Sequence, residues 1–513
     1  MKKLLSYGFA LICSLVLSVQ SAAAQELTLP VQIPELNQKV KDLATPALDQ
    51  MLSNPEKATA TINKAIKATK NDKGQMMALA NWFMQQDNTL GLQGARYVIE
   101  KLYSTNAEDV EVLLLAGDIY GTMGQWGKAG QKYDQALVVE PDNIYALTQG
   151  ARIYKNHNPT VSLSLWEKLK ELQPDNLLAA RNIGDLLYDQ NYMGEALENY
   201  GKYYDGTPHT KEALNSSSME RYLIGLFFSE GKEARLAEVA KELYKADPNN
   251  LVYERFAFIG TMLTFDDQPN ALEDAQRYGK YVMSGTTPDS LLLYQDFVYA
   301  YQLADKLDDA DACVTFVKKA VEKDPEQVNL LKSGAVNLNA AGHFPQAAEL
   351  YNAFLAAQGD KAAPDDFFNL AVLYRQALPK AATAEEKEAY AAKALELLGQ
   401  LDQDGSAFPA DQKYKVALER ARVLNQAPNR DADAVAKTYL QALELCPDEA
   451  AAGMELYDAY YVLTFYYADG LQTCDDIDAQ FRLIRQYCSK ALNLDPTNEN
   501  LLDVDDVLHS QGY

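Results

Sequence analysis

His157, His209, His343 and His509 are the four imidazoles of the chain, and no two of them stand at a spacing that would bring both onto one metal ion. Each falls in an expected turn or in the C-terminal tail, where a histidine is an ordinary surface residue. Asp402-Gln403-Asp404-Gly405 begins like a calcium loop, but its glycine comes two positions early and the closing glutamate is missing. Asp503, Asp505 and Asp506 offer charge to a cation, and equally read as the solvated side of a terminal helix. No phosphate-cradling glycine loop, nucleophile elbow or Cys-x-x-Cys pair occurs. The sequence therefore predicts no catalytic residue, no metal and no cofactor, and hence no enzyme. What it does contain is a dense aromatic patch: Tyr457, Tyr460, Tyr461, Phe465, Tyr466 and Tyr467 crowd into eleven residues. That is more ring surface than one helix face buries, and exposed rings stack on sugars or on a partner's apolar surface. Burial against the final hairpin, Asp475–Pro496, is the alternative.

The elements that would position such residues follow from a period of 33 to 34 residues ending in proline. Gly117, Tyr120, Ala129, Tyr133, Ala136 and Pro141 form one copy. Ala151, Tyr154, Trp166, Leu169 and Pro174 form the next, and Gly184, Ala196, Tyr200, Tyr203 and Pro208 a third. Leu113, Ala116 and Tyr120 recur three to four apart, which puts them on one face of a helix. A second helix follows the break at 121–127, with Ala129, Tyr133, Ala136 and Leu137 turned inward. Small residues at Gly117, Ala129 and Ala136 let the two axes approach, and Tyr120 and Tyr133 fill the space around those contacts. Pro141 lacks an N–H donor and ends the hairpin, and Asp142 or Asn143 is placed to cap the next helix. Beyond Pro208 the pattern loosens, with proline closures again at Pro248, Pro288, Pro325, Pro447 and Pro496.

This pattern resembles the tetratricopeptide repeat family, most specifically over 110–141, 144–174 and 177–208. The resemblance implies an all-α fold, an α-solenoid (superhelix) of about eleven helix-turn-helix repeats. The chain divides on this reading into a signal peptide (1–24), capping helices (25–75), well-matched repeats (76–208), degenerate repeats (209–360) and C-terminal repeats with a long final hairpin (361–513). Within 25–75, Leu48–Lys67 is expected to form one or two short helices.

In this family the first helix of each pair lines a concave groove that holds a protein or peptide. Residue by residue, the resemblance assigns to that groove Leu114 and Asp118, then Tyr145, Thr148, Gln149, Arg152 and Lys155, then Arg181, Asn182, Asp185 and Tyr188. Arg152, Lys155 and Arg181 make a basic spot beside Tyr145 and Tyr188, suited to a peptide carboxylate or acidic segment. Members that clamp a C-terminal carboxylate carry lysine and asparagine where this chain has Leu114 and Asp118, so that clamp is absent from this register.

The chain carries 47 basic and 72 acidic residues, a net charge of −25. No basic stripe is visible, which disfavours nucleic acid, and the same charge disfavours anionic lipid surfaces. Lys2 and Lys3, the apolar run Leu4–Val19 and Ala22-Ala23-Ala24 before Gln25 read as a secretory signal cleaved after Ala24. No further stretch is long enough to span a membrane. The expected location is periplasmic or secreted. Cys313, Cys446, Cys474 and Cys488 would remain after cleavage. Cys474 and Cys488 lie about 20 Å apart if the interval is helical, too far to bridge, and free thiols are the expectation; a disulfide among Cys446, Cys474 and Cys488 stays open. The leading functional expectation is a non-enzymatic scaffold of the bacterial cell envelope with a protein or peptide partner and undetermined oligomeric state. The alternative is an outer-membrane-associated glycan-binding protein of the tetratricopeptide-containing, oligosaccharide-capturing type.

Overall fold

The computed structural model describes residues 29–86, 89–403 and 407–513. The expected signal peptide, Cys13, Asp404 and Gly405 lie outside them. Among the described residues the backbone is helix and turn, without a strand. Two compact units meet in sequence between Ala271 and Leu272. The divisions expected at 208 and 360 therefore fall inside units: they mark where the repeat consensus weakens, while helix pairing continues unbroken across them.

In the first unit the pairs are Gln38–Ser53 with Pro55–Ala68, Lys73–Met84 with Thr89–Tyr103, and Val110–Thr122 with Trp126–Val139. Ile144–Tyr154 with Pro159–Leu172, Leu177–Asp189 with Met193–Gly206, and Ser216–Phe228 with Glu233–Ala246 follow, and Leu251–Leu263 packs on the last of these. The second unit holds Tyr294–Lys306 with Ala310–Lys323, Asn329–Ala340 with Phe344–Gln358, Pro364–Ala377 with Ala384–Asp402, and Lys413–Gln426 with Ala432–Leu445. Tyr457–Asp469 with Ile477–Leu494 is its last pair, closed by Glu499–Ser510.

The start of the chain departs from the sequence expectation. Among the described residues the first helix begins at Gln38, well before Leu48, and runs through Pro46. Proline there removes one backbone donor, which sequence reading takes as a break. Burial outweighs it: Val40, Ala44 and Ala47 pack with Ile62, Ala65, Leu79 and Phe83 in one core, closing the apolar end of the stack. Asn54 then caps the second helix through Lys57 N at 3.0 Å, with Pro55 in the first turn, where its missing N–H is no loss.

The repeat positions do what their types require. Asp109, Asn143, Asn176 and Asn215 each precede a first helix and accept a hydrogen bond from the backbone N–H three residues on, at 3.0–3.2 Å for three of them and 2.9 Å for Asn176. Gly124 turns between helices at φ +68°, and Asn191 takes the same left-handed conformation two repeats later at φ +63°. Tyr120 donates to Glu100 at 2.9 Å and Tyr154 to Asp134 at 2.6 Å, so one period apart the same bond ties a first helix to the preceding hairpin.

Candidate functional site

The first helices of the first unit carry a row of polar side chains, and most of it is occupied internally. Both oxygens of Asp118 are engaged: Tyr133 of the same hairpin donates at 2.6 Å and Tyr145 of the next at 2.7 Å. Burial raises the Asp118 carboxyl above its ordinary range, and the two hydroxyls lower it without cancelling that effect. Burial likewise pushes the Tyr133 and Tyr145 phenols up, helped by the Asp118 charge.

Two repeats later Asp185, 8% exposed, repeats the arrangement with different partners. Tyr200 donates at 3.1 Å, Ser218 at 2.9 Å and Lys155 at 3.1 Å, so Asp185 joins three consecutive first helices or their ends. Arg221 pairs with Asp189 at 3.1 Å and lies 5.4 Å from the Tyr188 ring. Asn182 is buried and donates to Leu178 O at 2.8 Å.

These placements concern residues that the resemblance assigns to the groove. Leu114, Tyr145, Thr148, Asn182 and Asp185 are buried. Asp118, with both oxygens held by tyrosines, fastens hairpins together, and Lys155 and Tyr188 are tied to Asp185 and Arg221. The cause is the partner residues: Tyr133, Tyr200, Ser218 and Arg221 reach these positions from 15 to 36 residues away, and no local pattern announces them. A constant tyrosine 15 residues after each acid is the one available signal.

Gln149, Arg152 and Arg181 remain partly open. Arg152 lies close enough to Arg181 for the second charge to depress the first guanidinium, after burial, which is the larger cause. Among the described residues neither forms an ion pair. Arg181 sets its guanidinium 5.9 Å from the Tyr203 ring, and its buried Nε has no hydrogen-bond partner. Among the described residues, two neighbouring half-buried guanidiniums thus stand without a carboxylate partner, while Asp118 and Asp185 on the same row are paired.

The aromatic patch is divided. Tyr460 is buried and donates to Glu449 at 2.6 Å. Tyr457 holds Asn498 at 2.9 Å. Tyr461, Phe465, Tyr466 and Tyr467 stay half-buried and line an open cavity. The histidines are scattered: His343 meets Asp308 at 2.7 Å and His509 lies 3.5 Å from Asp505. Among the described residues no group of three or more His, Cys, Asp or Glu is placed to hold a metal ion, and no helix is long and apolar enough to cross a membrane. Cys313, Cys446, Cys474 and Cys488 are free thiols.

No family model matches the chain, and no curated protein matches it. Among solved structures it is similar to YrrB, described as a tetratricopeptide protein with an unusual peptide-binding site, at 18% identity over 37% of this chain and 95% of that one, with a TM-score of 0.32. It is similar to the C-terminal part of a tetratricopeptide protein from Cytophaga hutchinsonii at 20% identity, covering 55% of this chain and 98% of that one, with a TM-score of 0.32. A tetratricopeptide protein from Parabacteroides merdae matches at 16% identity over 50% and 96%, with a TM-score of 0.30. Its helices pair into successive hairpins, and over residues 110–206 these recur every 33 to 34 residues with glycine seated under tyrosine at constant offset, the architecture of tetratricopeptide-type repeats.

Proposed function

We propose that this chain is a non-enzymatic scaffold of the bacterial cell envelope that holds a partner protein by an acidic segment, with Arg152 and Arg181 as the anchor. One observation supports this reading above others. In a chain with 72 acidic residues, two neighbouring guanidiniums are half-buried with no carboxylate to neutralise them. Burial desolvates Arg152, and the nearby charge of Arg181 adds to that cost. A carboxylate from outside relieves both at once, and the planar fork of arginine suits bidentate contact. Gln149, one turn before Arg152, adds an amide to the same surface. Charge-assisted bonds of this kind contribute about 1.5–3 kcal/mol each. The envelope location rests on the N-terminal residues 1–24, whose charged start, apolar run and alanine triplet fit a cleaved secretory signal.

The test is in-cell crosslinking with mass spectrometry on the wild type and an Arg152→Glu, Arg181→Glu double variant, with circular dichroism confirming that the variant folds. The expected result is loss of one partner whose crosslinked segment is acidic. An unchanged partner set would reject the arginine pair as the working site.

A further inference from the structure

We infer that the second unit carries a binding site for a short neutral oligosaccharide, in the cavity beside Tyr461, Phe465, Tyr466 and Tyr467. The cavity measures about 600 Å³, within the usual range for small-molecule sites. It lies between the last two hairpins of the unit, and its far wall is the insertion that follows Tyr457–Asp469.

Its chemistry is of two kinds in one space. Four rings from a single helix supply flat apolar surface. Lining the same cavity are Asn425, Arg430 and Asp433 from the preceding hairpin, Asp469 at the end of the ring-bearing helix, and Thr473 and Gln480 from the insertion and the helix after it. A pyranose presents the same two kinds of surface: axial C–H groups that stack on a ring, and hydroxyls that both donate and accept. Carboxylates accept, guanidinium donates and amides do both, so the rim matches hydroxyls. A phosphate or carboxylate ligand is disfavoured, because two aspartates outnumber the one arginine. A purely apolar ligand would leave the rim unpaired.

The walls are preorganised. The Tyr466 hydroxyl donates to Asp433 at 3.0 Å, and Tyr467 stacks on Tyr487 with 5° between planes and 5.7 Å between centroids. Tyr461 and Phe465 lie 4.9 Å apart. Arg430 Nε donates to Asn425 at 2.8 Å, leaving the terminal nitrogens of the guanidinium available. Gln480 donates to Tyr467 O at 2.8 Å, and Gly470 makes room for it: a Cβ there would stand 2.6 Å from Gln480 Nε2. Fixing rings and rim before binding lowers the ordering cost that limits weak ligands. Cys474 also lines the cavity, which gives a reporter of occupancy.

The experiment screens the purified protein against neutral tri- and tetrasaccharides of α-glucan, β-glucan, mannan, xylan and galactan type, with titration calorimetry on each. Expected is binding of at least one type with Kd below about 1 mM. That sugar should slow alkylation of Cys474, and Arg430→Ala with Asp469→Ala, both at exposed positions, should weaken binding about tenfold or more. Arg152→Glu with Arg181→Glu should leave sugar binding unchanged, which separates this site from the proposed protein-binding groove. Absence of binding across the panel overturns the inference. So does binding that neither protects Cys474 nor responds to the rim substitutions, and so does displacement of the sugar by N-acetyl-phenylalanine amide at lower concentration, which would mark a peptide side-chain pocket.

Discussion

A Cβ added to Gly117 would stand 2.5 Å from the ring of Tyr133, and the pair Gly184 and Tyr200 repeats this at 2.8 Å with the same offset along the chain. The two helices of these hairpins approach until a tyrosine ring lies directly on glycine. Gly117→Ala should therefore destabilise the protein by about 1–3 kcal/mol, as overpacking of a rigid contact does. Gly127, in the same hairpin, has open space around its Cβ position. Gly127→Ala should instead raise stability by up to about 1 kcal/mol through helix propensity. Urea unfolding of both variants checks the pair, and equal effects would show that the ring contact is not the cause.

Asp118 and Asp366 should respond to pH in opposite senses. The Asp118 carboxyl is raised by burial beyond what Tyr133 and Tyr145 take back. Its stabilising contribution is thus complete below the unfolded carboxyl value and lost as pH rises through the folded one. Asp118→Asn should gain on the wild type as pH rises out of the ordinary carboxylate range toward neutrality. For Asp366 burial also pushes upward, but Lys332 at 2.5 Å, Tyr351 at 2.9 Å and the Ala363 N–H outweigh it and hold the carboxyl low. Its contribution is present above the unfolded value and lost as pH falls, so Asp366→Asn should cost most at neutral pH and least in acid. Urea titrations across that range decide both signs.

Glu419 is 2% exposed and faces Arg375 and, at 3.3 Å, Arg422. Arg422 continues to Asp458 at 2.8 Å and Glu455 O at 2.9 Å, so one charged chain joins three successive first helices. Removing its buried member takes the carboxylate from Arg375 and leaves Arg422 with Asp458 as its carboxylate. Glu419→Ala should cost about 3–5 kcal/mol, more than Asp458→Ala at the exposed end. Thermal unfolding of the two variants gives the order.

Cysteine reactivity should follow depth. Burial pushes the Cys313 thiol up to about 12 and the Cys488 thiol to about 11, with nearby aspartates adding to both. Cys474, half-buried at the cavity, should be alkylated first at mildly alkaline pH, with Cys313 and Cys488 modified only on unfolding. Mass spectrometry of the time course reads this directly. Early modification of Cys313 would contradict the packing of its hairpin.

Arg152→Gln should leave stability unchanged or slightly higher, since it removes a buried charge and its repulsion from Arg181. A loss comparable to that expected at Glu419 would mean that the guanidinium has a structural partner, and would count against the anchor role. Melting curves at low and moderate salt suffice.

Sequence alone determined the helical class, the hairpin unit and its punctuation. Period, small residues, caps and prolines act within one or two turns of where they stand, so Asn143 and Gly117 are legible without coordinates. The early helix at Gln38 was not legible, because Pro46 signals a break locally and the burial that overrides it comes from residues as far along as Phe83. Nor was the state of the polar row. Asp118, Asp185 and Arg152 occupy comparable positions on first helices, yet the first two are consumed by tyrosines, serine and lysine from their own and neighbouring hairpins and the third is left without an acid. The cavity is the same case: its rings lie in eleven consecutive residues, while its rim arrives from Asn425 to Gln480. Hydrogen bonds and ion pairs across stacked hairpins depend on which side chains the packing brings within about 3 Å, and that choice belongs to the tertiary structure.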